Sequence, residues 1–267
     1  MRTLFLNLPG GRIAYDDSGG DGPLVICVPG LGDLRGLYRF LAPQLVAQGY
    51  RVITMDVRGH GESSVDWPDW SAAAVGSDVV ALIQRLNGGP AILIGQSMAA
   101  AAAVWAAAEV PDLVSGIVLC GPFVRDVPMG ALVRLGAALV VRSASLWSMY
   151  YASLYRAAKP ADFADYRTAL RANLRQPGRL TALRGMMRAS KAACEARIDQ
   201  VRCPALVVMG SADPDFADPT AEARMVAERL HGQLLLVEGA GHYPQAELPA
   251  RTNEAIGQFV AKAAAGG

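Results

Sequence analysis

Apolar positions follow two rhythms along this chain. Near the start they alternate: "TLFLNL" and "RIAYDD" flank "PGG" and predict an antiparallel hairpin, because successive strand side chains point to opposite faces. After "SGGDGP" the alternation gives way to continuous apolar runs, "LVICV" (24–28), "RVITM" (51–55), "AILI" (91–94), "GIVLC" (116–120), "ALVVM" (205–209) and "QLLLV" (233–237). Helical spacing fills the intervals, over Leu37–Gln48, near Ala72–Leu86, through the alanines after Ser97, from Pro219 and from about Pro244. Strands apolar on both sides and separated by helices predict a parallel sheet covered on both faces.

From Pro122 to about Val201 only helical patterns occur, punctuated by Pro128, Pro160 and "PG" at 177–178. An all-helical insert between two strands of such a sheet lies over its carboxyl edge, where open α/β sheets carry their sites. The chain thus divides into a core, 1–122 with 202–267, and a helical cap (lid) over 123–201.

Composition narrows the class without changing this outline. Of 267 residues 52% are apolar and 18% charged, enough for one large core and too apolar for disorder. The net charge of +1 gives no reason to expect nucleic acid. "MRTLFLNLPGG" has too short an apolar run for a signal peptide, and no segment approaches the ~18 apolar residues of a membrane helix. A cytoplasmic monomer or homodimer with no membrane partner is expected. Cys27, Cys120, Cys194 and Cys203 show no CxxC spacing and no histidine cluster, so neither zinc nor a disulfide framework is expected; Cys27 and Cys120 read as buried thiols.

The candidate chemistry sits at strand ends. "GQSMA" (95–99) matches G-x-S-x-G except for Ala99 at its last position. Small residues suit a tight strand-to-helix turn, in which the helix passes close to neighbouring strands, and the turn sets Ser97 at a helix N-terminus whose free N–H groups favour an oxyanion. A serine hydroxyl needs a base. His242, in "EGAGHYPQAELP", follows a strand and precedes a helix; His60 lies in "DVRGHGESS"; His231, in "RLHGQ", reads as a helix C-terminal residue. The base in turn needs an orienting carboxylate. Asp213, in "VVMGSADPDFADP", follows a strand directly, Asp215 is a near rival, and Asp218 reads as the cap of the helix at Pro219.

The chain order Ser97, Asp213, His242 and the motifs "VPGLG" (28–32), "DVRGHGES" (56–63), "GQSMA", "GSAD" (210–213) and "GAGHYPQAELP" (239–249) together resemble those of α/β-hydrolase-fold serine esterases with a helical cap, over nearly the whole chain. The resemblance implies a mostly parallel eight-stranded sheet with helices on both faces and the cap inserted. It implies Ser97 as nucleophile, His242 as base and Asp213 as the residue orienting the imidazole. The oxyanion hole would be the N–H groups of Met98 and Leu31, although Pro29-Gly30 stands where relatives carry His-Gly. His60 would be scaffold. Ser97, where dehalogenases and epoxide hydrolases carry Asp, implies an acyl-enzyme route on carboxylic esters of small to medium acyl groups. Lactonase, thioesterase, C–C bond hydrolase and perhydrolase chemistry use the same triad, and a non-catalytic ligand receptor uses the same scaffold. No cofactor or metal is implied.

In the cap, Trp147, Tyr150, Tyr151 and Leu154 fall on one helical stripe, which reads as core with part of it walling an acyl pocket. Met129, Met98 and Leu31 are expected to contribute to that pocket. Residues 123–200 hold 13 Lys+Arg against 5 Asp+Glu, a net +8, whereas the remainder is −7. Arg167, Arg171 and Arg175 share a helix face, and Arg184 and Arg188 repeat the spacing. They read as a solvated face, with steering of anionic substrates as the alternative.

Overall fold

The computed structural model describes residues 2–128 and 130–266. The expected hairpin is β1 (Arg2–Leu8) with β2 (Gly11–Asp17), followed by β3 (Leu24–Val28), β4 (Arg51–Met55), β5 (Ala91–Gln96), β6 (Val114–Cys120), β7 (Ala205–Gly210) and β8 (Gln233–Val237). They form one sheet in the order β1-β2-β4-β3-β5-β6-β7-β8, antiparallel in its first two pairings and parallel from β4 onward. In β3, β5 and β7 every residue is buried, so their continuous apolar runs reflect a sheet centre covered on both faces, whereas the edge strand β8 is only partly buried.

Helices α1 (Leu41–Ala47), α2 (Ala72–Leu86) and α3 (Met98–Glu109) precede β6. Between β6 and β7 lie α4 (Ala131–Val140), α5 (Ala144–Ser153), α6 (Phe163–Leu174), α7 (Arg179–Arg188) and α8 (Ala192–Glu195). The chain closes with α9 (Pro219–Arg229), α10 (Pro244–Glu247) and α11 (Pro249–Ala265). Alternate strand residues feed two apolar clusters, one on each side of the sheet. Leu24, Ile26 and Val28 pack with Val75, Leu82 and the alanines of α3. Val25 and Cys27 pack with Leu41, Trp147, Tyr151, Phe163, Ile256 and Phe259, so α5 and α6 share a core with α1 and α11. The alanines explain themselves here: Ala99 to Ala103 are all essentially buried, and only methyl side chains let α3 lie so close between its neighbours.

Two expected helices are divided. The segment read as Leu37–Gln48 is a 3₁₀ turn over Arg35–Arg39 followed by α1. In a continuous α-helix the ring of Pro43 would clash with the carbonyl of Arg39; starting α1 at Leu41 puts Pro43 in a first turn, where proline is tolerated. The last helix breaks at Leu248, whose φ of −130 and ψ of 60 lie outside the α region that Pro249 disfavours for the residue before it. Asp218 caps α9 as expected, its Oδ1 accepting from the Ala221 N–H at 2.9 Å. Cys27 and Cys120 are fully buried thiols, the latter pushed up by burial to about 12.

Candidate active site

β5 ends at Gln96 and α3 begins at Met98, which leaves Ser97 to make the turn alone. It does so at φ 56 and ψ −120, a conformation that costs a non-glycine residue roughly 1–3 kcal/mol. The surroundings hold it there: the Ser97 N–H donates to the Cys120 carbonyl at 2.8 Å, and its own carbonyl accepts from Ala100 and Phe123 at 3.0 and 3.1 Å. The turn is crowded. A Cβ on Gly95 would stand 2.4 Å from the Ala99 carbonyl oxygen, and one on Gly30 would stand 2.9 Å from the Ser97 Cβ. The second distance also places the loop after β3 directly against the serine.

His242 leaves the loop after β8 and Asp213 the loop after β7. Their side chains meet at 2.7 Å, Nδ1 to Oδ2, both almost wholly buried. Asp213 is acceptor-only when ionised, so Nδ1 carries the proton, and Nε2 offers a lone pair once the ring is neutral. The other Asp213 oxygen accepts the Asp215 N–H at 3.0 Å. The Asp215 carboxylate is farther from His242, at 3.9 Å, and accepts the Tyr150 hydroxyl at 2.6 Å. Burial alone would lower the imidazole; the charge and hydrogen bond of Asp213, reinforced by Asp215 and Glu247, outweigh it and push His242 up to about 9. Asp213, Asp215 and His242 also bring ligand atoms within 4.8 Å of one another. A cation there would have to break the Nδ1–H···Oδ2 bond, so the trio is better suited to holding a proton.

Serine and histidine are tied together through shared neighbours. Gln96, one residue before Ser97, donates from Nε2 to the His242 carbonyl at 2.8 Å, and its Oε1 accepts from Gln245 at 2.7 Å. Phe123, which bonds the Ser97 carbonyl, sets its ring edge-on to His242 with centroids 5.9 Å apart.

The loop after β3 is clamped on both sides. His60 is fully buried; its Nδ1 faces the Arg58 carbonyl at 3.0 Å, and its Nε2 accepts from the Gly32 N–H at 3.1 Å. Burial pulls its pKa down to about 4, so it serves as a neutral strut. From the other side Trp147 donates its indole N–H to the Gly32 carbonyl at 2.8 Å. Among the described residues the Leu31 N–H takes part in no hydrogen bond, and Met98 opens α3, where the N–H has no carbonyl a turn earlier.

The expected pocket residues are placed unequally. Trp147 is buried on Gly32, and Tyr150 is half-buried beside the Asp215–His242 group. Tyr151 is enclosed, with its hydroxyl 3.3 Å from Asp33. Met129 lies outside the described residues. Three residues escaped the sequence reading: Gln96, Gln245 and Glu247. Buried Glu247 accepts the N–H groups of Gly241 and Tyr243 on one oxygen and those of Arg156 and Ala157 on the other. It therefore stitches the histidine loop to the segment between α5 and α6, which also supplies the Leu154 carbonyl to the His242 N–H at 2.9 Å. The only signal in the sequence was a carboxylate five residues past the histidine.

The family model described as alpha/beta hydrolase fold matches residues 23–249, and the chain belongs to this family of hydrolases. It is 28% identical over 251 residues to 2-(acetamidomethylene)succinate hydrolase of Mesorhizobium japonicum, spanning 90% of this chain and 89% of that protein. It is 25% identical over 269 residues to (E)-2-((N-methylformamido)methylene)succinate hydrolase of Acinetobacter baylyi, spanning 96% and 97%. A malate-bound thermophilic esterase from Thermogutta terrifontis shares the fold, with a TM-score of 0.76 at 24% identity over 98% and 99% of the two chains.

Proposed function

We propose that the protein is a serine hydrolase of carboxylic esters, working through an acyl-enzyme with Ser97 as nucleophile, His242 as base and Asp213 as its orienting partner. The observation that carries the reading is the strained Ser97 turn set among the same neighbours as a buried His242–Asp213 pair. In the proposed sequence Ser97 Oγ attacks the ester carbonyl while its proton passes to Nε2 of His242. The N–H groups of Leu31 and Met98 bind the resulting oxyanion; one such donor is typically worth about 3–4 kcal/mol. Collapse breaks the C–O bond, and His242 returns the proton to the leaving alcohol. A water, deprotonated by His242, then releases the acid and regenerates Ser97. Residues 123–201 act as the cap over this edge, with Tyr150 facing the acyl group.

Initial rates on p-nitrophenyl esters from acetate to decanoate, for wild type beside Ser97→Ala, test the reading. Rates lost in the variant support it and the chain-length optimum sizes the pocket; equal slow rates in both proteins overturn it. The names of the two relatives favour a second reading, a small acyl group joined through nitrogen to a part that carries two carboxylates. It requires a higher kcat/KM for 2-(acetamidomethylene)succinate than for its dimethyl ester.

A further inference from the structure

The first inserted helix inverts the usual pattern of a soluble surface. No residue of α4 is buried, and Leu132, Val133, Leu135 and Leu139 are exposed by 85%, 60%, 60% and 51%. With Leu146 and Met149 of α5, the helix that follows, these make six of the eight large exposed apolar residues among the described positions. A contiguous apolar patch that a protein keeps in water marks a contact surface. Leu132, Leu135 and Leu139 recur at i, i+3 and i+7 and share one face.

The other face of the same helix carries the opposite chemistry. Between α4 and α7 runs a cleft of 490 Å³ lined by Arg134, Arg142, Arg184 and Arg188 above Val141 and Met187. Among the described residues none of these four guanidinium groups has a carboxylate partner; Arg184 donates to the Thr181 hydroxyl at 3.0 Å. The sequence gives them none nearby, for no Asp or Glu occurs from 127 to 161 or from 166 to 194. Charge complementarity then selects the occupant. A second copy docked by its own α4 would bring four more arginines to the same place, and repulsion opposes that contact. A surface of phosphate groups over hydrocarbon satisfies both the arginines and the leucines.

We propose that α4 docks this protein on an anionic phospholipid surface, its leucines entering the acyl boundary and the arginines of the α4–α7 cleft pairing with headgroup phosphates. The sequence expectation is of no membrane partner, and no described helix is long and apolar enough to cross a bilayer; the contact proposed is peripheral. The proposal is independent of the ester reading.

Co-sedimentation of the full chain with vesicles tests it, using phosphatidylcholine alone and phosphatidylcholine with about one part in three phosphatidylglycerol, at low and high salt. Wild type is expected to pellet with the anionic vesicles only, and less at high salt. Arg134→Gln with Arg142→Gln is expected to weaken binding roughly 25-fold, about fivefold per charge. Leu135→Ser with Leu139→Ser is expected to lose binding although every charge remains. All these positions lie on the surface, so an unchanged thermal midpoint verifies folding without reference to activity. Three outcomes overturn the proposal. Wild type ignores anionic vesicles; or the leucine pair binds as well as wild type; or that pair turns a dimer into a monomer by sedimentation velocity while vesicle binding is unaltered, which makes the face a contact between copies.

Discussion

His242 is a buried imidazole with one carboxylate at 2.7 Å and a second at 3.9 Å, and this pairing sets how the proposed chemistry responds to pH. A base must be unprotonated to act. With its pKa pushed up to about 9, His242 is mostly imidazolium at neutral pH, so kcat/KM on a soluble ester should rise through the neutral range and level off near pH 9. Asp215→Asn removes a charge that favours the imidazolium and should move that limb toward acid. A limb near 6.5 in wild type, or one that Asp215→Asn leaves in place, would remove Asp215 from this role. His60 makes the complementary case. Its ring is neutral and hydrogen-bonded at both nitrogens, so His60→Phe should strand the Gly32 N–H and cost about 1–3 kcal/mol by urea denaturation. An unchanged midpoint would mean the loop after β3 holds its shape without this strut.

Among elements, the loop between β8 and α11 joins the sheet to the insertion. Glu247, on the single turn of α10, accepts four backbone N–H groups from two segments distant in sequence. Glu247→Ala leaves these donors buried without a partner. A loss of about 3 kcal/mol or more is expected, which for a chain of this size lowers the thermal midpoint by roughly 6–12 °C. A fall of only a degree or two would show that the segments hold without it. Both divided helices were legible in principle, because Pro43 and Pro249 each forbid the continuous helix that apolar spacing alone suggests. Spacing reports which face is buried; it does not report where backbone hydrogen bonds must stop.

At the scale of the molecule, a buried carboxylate ties the insertion to the core. Asp33, on the loop after β3, accepts the hydroxyls of Tyr151 and Tyr166 and its neighbour's N–H, Leu34. Burial raises its pKa from 3.8 to about 6 although these bonds oppose the shift. Between those values the folded protein binds a proton that the unfolded chain has released, so stability falls as pH rises through this window. Tyr166→Phe removes a donor to the anion and should deepen that fall. The variant is therefore expected to lose more stability at pH 8 than at pH 5 by urea denaturation; equal losses at both would assign Tyr166 to packing alone.

Much of this protein was determined by sequence alone. The sheet follows from its continuous apolar runs, since a strand buried on both faces must be apolar at every position, and the insertion follows from the absence of such runs over 123–201. That Ser97, Asp213 and His242 lie toward one edge was legible because each follows a strand, and parallel strands bring all their carboxyl ends together. Tertiary structure decided the rest. That Gln96 reaches the His242 carbonyl, that Trp147 holds Gly32, and that Glu247 reaches Arg156 and Ala157 are contacts between residues 90 to 146 positions apart, and no local pattern encodes them. The leucines of α4 show the same limit in reverse. The sequence marks 123–201 as helical, but only the packed molecule reveals that Leu132, Leu135 and Leu139 stay exposed among the described residues.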